Sequence, residues 1–234
     1  IHYMRQQLQK MIALATTDPL GPVHLNQPIA EPFYKYHKHQ LSPKPIKHEP
    51  ACQELTPTMI HTLINEQKKQ GCFLLGQLDH LEHFTDFWHM ARRWNWPIFI
   101  DPLSNMRSFV PKEVAHLCID RYDILLKTTH QLPAPECIIQ FGAPFISKSL
   151  NQWLTATNPK THLIIDPSPF YKDPTFTVTQ HYQMQPQVMW RYKWPKQDPT
   201  SYTSLCQHLN QHIHQLEQQF FLSLNGNYCI RNAK

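Results

Sequence analysis

Four short apolar runs, each followed by a polar turn, constrain the fold of this chain more than any other feature. They occur at 72–76, 97–100, 137–141 and 162–166, and segments with helical periodicity separate them. Strands that are apolar throughout are typical of a parallel sheet covered on both faces. The pattern therefore predicts an α/β fold, a Rossmann-like parallel sheet of five to six strands with helices on both faces.

The other elements follow from periodicity and turn residues. Thr56 is the expected N-cap of a helix that begins at Pro57, where proline suits the first turn, and ends before Gly71. Further helices are predicted at 2–16, 80–94, 111–127, 147–156 and about 200–222, and further strands at 23–26 and 175–179.

Changes in composition divide the chain into four parts. Residues 28–56 are rich in proline and form an expected extended linker, and 57–200 contain the alternating strands and helices. Residues 1–27 precede the linker, and 201–234 carry the last helix. Because the chain begins at Ile1, inside a helical pattern, rather than at Met, we expect it to be a fragment of a longer protein.

Composition also argues against several classes of function. The net charge is +5, but the basic residues are scattered and form no face or stripe for a nucleic acid. No apolar run approaches the roughly 20 residues that span a bilayer, so we expect no membrane contact. The six cysteines include no CxxC pair and are predicted to be buried free thiols, which indicates a reducing, cytoplasmic location.

The segment FGAPFISKSL at 141–150 is the nearest substitute for a phosphate-binding loop. The chain has five glycines and contains neither GxGxxG nor GxxxxGK[ST]. Ser147, Lys148 and Ser149 open a predicted helix, whose N-terminus attracts anions, so Lys148 could bind a carboxylate or phosphate. The alternative is that Ser147 is only an N-cap and that Lys148 is solvated.

The segment DPLSNMR at 101–107 presents a similar choice. Asp101 ends a strand, and Arg107 offers a planar guanidinium to an anion. The alternative is a turn capped by Asp101, with no ligand.

The histidines suggest a metal site only weakly. His208 and His212 stand four residues apart near His214 and Glu217, and a second group contains His80, His83 and His89. Zinc needs three or four convergent ligands, and one such pair is expected by chance in a chain with 16 histidines. We predict no metal site and no catalytic residue in this chain.

Several of these segments together resemble a family of thiamine-diphosphate enzymes. The segments are GPVHLNQPIAEPF at 21–33, PIFIDPLSNMR at 97–107, RYDILL at 121–126 and QFGAPFISKSLNQWL at 140–154. In order and spacing they are similar to the 2-succinyl-5-enolpyruvyl-6-hydroxy-3-cyclohexene-1-carboxylate synthases of menaquinone biosynthesis. The resemblance covers roughly residues 1–200.

The resemblance implies a place for this chain within a three-domain enzyme. Residues 1–27 would be the C-terminal tail of the pyrimidine-binding domain, 57–200 the central domain, and 201–234 the start of a connection to a third, diphosphate-binding domain. The family decarboxylates 2-oxoglutarate on thiamine diphosphate, which Mg²⁺ anchors, and adds the succinyl unit to isochorismate. The resemblance also implies that the full-length enzyme is a homo-oligomer.

The same resemblance implies what this chain contributes. The glutamate that activates the cofactor and the Gly-Asp…Asn metal motif belong to the other domains, so the fragment is expected to bind no cofactor and to be inactive alone. Lys148, with Ser147 and Ser149, matches the segment that approaches the substrate carboxylates, although some relatives carry arginine at the position of Ser149. Arg107 would have a weaker anion-binding role.

Two other functions are compatible with the sequence. The chain could be a stand-alone Rossmann-like module that binds a small acid or a nucleotide, although the missing glycine loop argues against a dinucleotide. It could also be a structural spacer between two catalytic domains.

Overall fold

The computed structural model describes residues 2–16, 20–26, 28, 54–78, 84–128, 132–168 and 172–231. The chain divides into two compact units, 1–52 and 53–234. The first unit contains the predicted helix α1 (His2–Thr16). Its residues 20–26 form no strand, so the strand predicted at 23–26 is wrong. The predicted linker lies outside the described residues except at its two ends.

The second unit is built on a six-stranded sheet in which every pair of neighbours is parallel. The strands lie in the order β3-β2-β1-β4-β5-β6. This result confirms the predicted α/β fold with a parallel sheet. The strands are β1 (Gly71–Leu75), β2 (Ile98–Ile100), β3 (Cys118–Ile119), β4 (Cys137–Phe141), β5 (Thr161–Asp166) and β6 (Gln180–Gln183).

Helices cover both faces of the sheet, as predicted. Alternate residues of β1 enter two separate apolar cores: Phe73 and Leu75 face one, and Cys72 and Leu74 face the other. The first core also contains residues of α2 (Pro57–Gln67), α3 (Phe84–Trp94) and α6 (Pro186–Trp190). The second contains residues of α4 (Tyr122–Thr128), α5 (Lys148–Thr157) and α7 (Ser201–Arg231).

Local signals set several element boundaries. The Thr56 hydroxyl accepts a hydrogen bond from Met59 N at 3.2 Å, which confirms the predicted N-cap of α2. The first residue of β1 is Gly71, where a Cβ would lie 2.3 Å from the Trp96 ring. Glycine is therefore required where the strand passes this buried indole.

Two predicted elements near the sheet edges need correction, and one helix was missed. The single helix predicted at 111–127 is replaced by a 3₁₀ turn at Ala115–Leu117, strand β3 and helix α4. β3 adds to the edge of the sheet by pairing with Ile98 and Phe99, and this pairing overrides the helical periodicity. The strand predicted at 175–179 lies instead at β6, and α6 was not predicted.

The first part of the helix predicted at 80–94 falls on residues that are not described, and the described helix begins at Phe84. Within the described part of the chain, we find no helix that combines the length and the apolar character needed to cross a membrane.

Candidate functional site

The order of the strands reverses between β1 and β4, which is where open α/β sheets bind their ligands. In this chain the backbones of the two strands stay hydrogen-bonded beyond their last residues. Gly76 N donates to Phe141 O at 2.9 Å, and Ala143 N donates to Gln77 O at 2.8 Å. A Cβ on Gly76 would lie 1.8 Å from Ala143 O. The two strand ends are thus joined to each other, and no glycine-rich loop opens a cradle between them.

After β4 the chain turns at Gly142, whose φ of +74° is one that residues with a side chain rarely adopt. It then runs to Ser147, the N-cap of α5, whose hydroxyl accepts a hydrogen bond from Leu150 N at 3.2 Å. This hydrogen bond is the helix cap that the sequence offered as an alternative for Ser147.

Lys148 is the first residue of α5 and is exposed. It lines an open groove of about 490 Å³ on the surface of the helix, together with Ile146, Asn151, Gln152, Thr155 and Ala156. Among the residues that the structure describes, no carboxylate lies within ion-pair distance of its ammonium group. The groove therefore combines a cation that has no carboxylate partner among the described residues with polar amides and a hydroxyl.

The two serines beside Lys148 face away from this groove. Ser147 Oγ donates to Asp123 Oδ1 at 2.7 Å, and Ser149 is buried. Lys127 Nζ donates to Asp123 Oδ2 at 2.6 Å. The hydrogen bond from Lys127, followed by that from Ser147 and a smaller contribution from Ser149, holds the pKa of Asp123 below its ordinary value. Of the three predicted residues, only Lys148 lines the groove.

Helix geometry adds to the attraction for anions at this end of α5. The first N–H groups of a helix have no intrahelical acceptor, and Ser147 satisfies that of Leu150. α5 spans 10 residues, so its dipole places partial positive charge beside Lys148. The arrangement can bind a carboxylate or phosphate by charge and hydrogen bonding, but it holds no nucleophile or acid–base pair.

Arg107 lies elsewhere. Its Nε donates to Ile100 O at 2.9 Å and its Nη2 donates to Asp120 O at 3.1 Å, so the guanidinium ties the end of β2 to the residue that follows β3. Its Cζ lies 5.8 Å from the centroid of the Tyr122 ring. The structure also contains the capped turn that the sequence offered as an alternative, because the Asp101 carboxylate accepts a hydrogen bond from Leu103 N at 2.8 Å.

Arg107 also lines a second cavity, of about 410 Å³, between the β3 edge and α7. This cavity shares no lining residue with the groove at Lys148. The structure therefore does not bring the two predicted anion-binding residues into one pocket.

Helix α7 is joined to the β3 edge by charged groups. His214 Nε2 lies 3.0 Å from Asp120 Oδ1, and Arg121 Nε lies 2.9 Å from Glu217 Oε2. Burial alone would raise the pKa of Asp120, but the hydrogen bond and charge of His214, with the charge of Arg121, lower it. No group of three or more metal-binding side chains occurs in the described residues. His80 and His83 lie outside them.

Sequence reasoning missed Asp123, which holds Ser147 from a position 24 residues away. A signal was present, because Asp123 and Lys127 stand four residues apart in a helix, the spacing of an ion pair. That spacing indicates the pair with Lys127 but not the contact with Ser147, which depends on how α4 packs beside α5.

Comparisons with known proteins agree with this architecture. Residues 38–228 match a family model of thiamine pyrophosphate enzymes described as "Middle domain of thiamine pyrophosphate". Similar curated proteins carry the name 2-succinyl-5-enolpyruvyl-6-hydroxy-3-cyclohexene-1-carboxylate synthase. One, from Lysinibacillus sphaericus, is 30% identical over 184 residues, which are 76% of this chain and 32% of that protein.

Two further relatives with the same name extend this similarity. The protein of Listeria monocytogenes serotype 4b is 31% identical over 192 residues, 76% of this chain and 32% of its own length. That of Bacillus cytotoxicus is 28% identical over 220 residues, 82% of this chain and 37% of its own. The chain thus spans about a third of the length of these relatives. Because the family model covers most of the chain and the fold agrees with it, the chain belongs to the family of middle domains of thiamine pyrophosphate enzymes.

Proposed function

We propose that this chain is the central domain of a 2-succinyl-5-enolpyruvyl-6-hydroxy-3-cyclohexene-1-carboxylate synthase and that its groove at Lys148 binds a substrate carboxylate. The observation that carries the proposal is the exposed Lys148 ammonium at the N-terminus of α5, with no carboxylate beside it in the described residues. The name shared by the relatives supports the reaction class. The proposed substrates, 2-oxoglutarate and isochorismate, both carry carboxylates.

The proposed role of the chain is to hold and orient substrate. A carboxylate in the groove would accept hydrogen bonds from the Lys148 ammonium and from free N–H groups in the first turn of α5. Ser147 and Ser149 would act by fixing the backbone on either side of Lys148. Arg107, in the separate edge cavity, would have a weaker role toward anions.

Thiamine diphosphate and Mg²⁺ are proposed for the full-length enzyme only. When bound, the cofactor would supply the stabilised carbanion that decarboxylation requires. The described residues do not fit it, because they contain neither a glycine-rich phosphate loop nor a group of metal ligands. We therefore propose that the isolated chain has no synthase activity.

The proposal extends to the surrounding enzyme. Residues 1–27 would be the tail of the pyrimidine-binding domain, 28–56 a linker, 57–200 the central domain, and 201–234 the start of the connection to a third domain. The full-length enzyme would be a cytoplasmic transferase and a homo-oligomer, with no nucleic-acid or membrane partner.

A chimera provides the test. This chain would replace the matching third of the Lysinibacillus sphaericus relative, and the kinetics of the chimera would be measured with both substrates. We expect Lys148→Ala to raise the KM for one substrate about 10- to 100-fold, because a hydrogen bond to a charged group contributes about 1.5–3 kcal/mol. Lys160→Ala removes an exposed lysine just beyond the other end of α5 and is the matched control. Unchanged kinetics in Lys148→Ala would instead favour a structural spacer.

The alternative of a stand-alone module is tested on the isolated chain. A Rossmann-like nucleotide-binding module would be stabilised by NAD or FAD in a thermal-shift assay. We expect no shift with either, since no glycine-rich loop follows β1 to hold the phosphates of a dinucleotide. Saturable stabilisation by NAD or FAD, or turnover of 2-oxoglutarate and isochorismate by the isolated chain, would contradict the proposed function.

A further inference from the structure

One carboxylate, that of Asp123, holds the segment on which Lys148 stands. Asp123 lies in the first turn of α4, and its Oδ1 accepts the hydroxyl proton of Ser147 at 2.7 Å. The residue directly before Lys148 is thus held by an acceptor on the neighbouring helix.

The contact with Ser147 also fixes the cap of α5. A serine hydroxyl has one proton to donate and lone pairs to accept with. Because the proton goes to Asp123, a lone pair is directed at Leu150 N, 3.2 Å away. Asp123 therefore determines both the position and the orientation of the group that caps the helix.

A second tie fixes the start of the same turn. Asn151 Nδ2 donates to Phe145 O at 3.0 Å, and the Phe145 ring packs against Tyr122, the residue before Asp123, with centroids 5.6 Å apart. The backbone from 145 to 151 is therefore held against the start of α4. Within this segment, the charged residue is Lys148, and its side chain is exposed.

We propose that Asp123 is a positioning residue for carboxylate binding: by accepting from Ser147 it sets where the Lys148 ammonium meets the substrate. This inference rests on the proposed function of the groove. A shift of the reacting geometry by about 1 Å can cost orders of magnitude in rate, so a group that fixes this turn matters although it touches no substrate.

Two substitutions separate the position of the acceptor from its charge. Asp123→Asn keeps an oxygen at the place of Oδ1 and removes the charge. Asp123→Glu keeps the charge but displaces the oxygens by about one methylene from the position that Oδ1 holds, 2.7 Å from Ser147 Oγ. Asp123→Ala removes both. Lys127→Ala removes the other partner of the carboxylate and is the matched control, since exposed ion pairs contribute little.

The variants would be made in the chimera and in its Lys148→Ala form. We expect Asp123→Glu and Asp123→Ala to raise the KM for the carboxylate substrate that depends on Lys148 about 10-fold. Asp123→Asn and Lys127→Ala should change it less than about 2-fold. In the Lys148→Ala background the same Asp123 substitutions should have less than about 2-fold effect, because residues that act through one another are not additive. Melting temperatures would be recorded for every variant.

The inference is overturned if Asp123→Glu leaves the KM unchanged, or if Asp123→Asn raises it as much as Asp123→Glu. An equal rise in KM in the presence of Lys148 and in the Lys148→Ala background also overturns the inference, since Asp123 would then act independently of Lys148. If Asp123→Ala does not fold, the comparison of Asp123→Asn with Asp123→Glu still tests the inference. Lys148→Ala alone tests the proposed function: if it changes the KM and the Asp123 series does not, only the positioning role fails.

Discussion

The Nε2 atom of His162 lies 3.2 Å from Oε1 of Gln140, a contact between two neighbouring parallel strands of the sheet. The other ring nitrogen of His162 lies 2.9 Å from the hydroxyl of Thr177, which lies 2.8 Å from that of Thr175. His162 is buried, and burial lowers its pKa from 6.5 to about 4, although the charge of Asp173 opposes this effect.

The buried His162 predicts a loss of stability in mild acid. Because the unfolded chain binds a proton near pH 6.5 and the folded chain only near pH 4, stability is complete above pH 6.5 and falls as the pH drops toward 4. The free energy of unfolding should decrease by about 3 kcal/mol from this residue over that interval. Urea unfolding at a series of pH values would measure it.

His162→Asn should remove this part of the pH dependence, at some cost in stability at neutral pH. His208→Asn replaces an exposed histidine of α7 and is the matched control. The prediction would be wrong if the free energy of unfolding changed equally with pH in the wild type and in His162→Asn between pH 4 and 6.5.

Gly76 should tolerate no side chain. A Cβ at this position would lie 1.8 Å from Ala143 O, a backbone atom that cannot move without breaking the junction between β1 and β4. We expect Gly76→Ala to reduce the free energy of unfolding by more than about 3 kcal/mol. Gln77→Ala truncates the exposed side chain of the next residue and should cost less than about 0.5 kcal/mol. Similar denaturation midpoints for the two variants would show that the strand ends can separate.

Arg107 is predicted to stabilise the β2–β3 edge whatever its role toward anions. Its guanidinium donates to two backbone carbonyls, so Arg107→Ala should lower the free energy of unfolding by about 2 kcal/mol. Arg107→Lys should recover only part of this, because an ammonium group lacks the planar fork. Lys112→Ala, at an exposed position nearby, is the control. Equal stability of Arg107→Ala and Lys112→Ala would contradict this role.

The buried cysteines should be unreactive in the folded protein. Cys72, Cys118, Cys137 and Cys206 are buried and free. Burial raises the pKa of Cys118 and of Cys206 to about 12, so at pH 8 almost no thiolate is present. Alkylation with iodoacetamide, followed by mass spectrometry of each peptide, should label these four residues in urea and not in native buffer. Rapid native labelling at any of them would contradict the described packing.

Local signals were enough to predict most of the sheet. The apolar runs that became β1, β2, β4 and β5 are buried on both faces, and a segment of that kind has few alternatives in a folded chain. The caps at Thr56 and Ser147 were also predictable, because an N-cap involves a residue and its neighbours within one turn.

The edges of the sheet could not be predicted in this way. β3 contains two residues, too few for a periodic signal, and it forms because the edge of β2 offers unpaired backbone groups. The segment 175–179 was misjudged for a related reason. Its Thr175 and Val178 amides bind the Asp173 carboxylate in a turn, and the strand begins only afterwards.

The sequence by itself determined the α/β class, the order of the central elements, the cap that begins α5 and the membership of a known family. Only the tertiary structure decided that Ser147 meets Asp123, that Arg107 and Lys148 line separate cavities, and that the ends of β1 and β4 join. The reason is physical: periodicity and capping depend on neighbouring residues, whereas these contacts join residues far apart in sequence, and their geometry exists only once the helices and strands have packed.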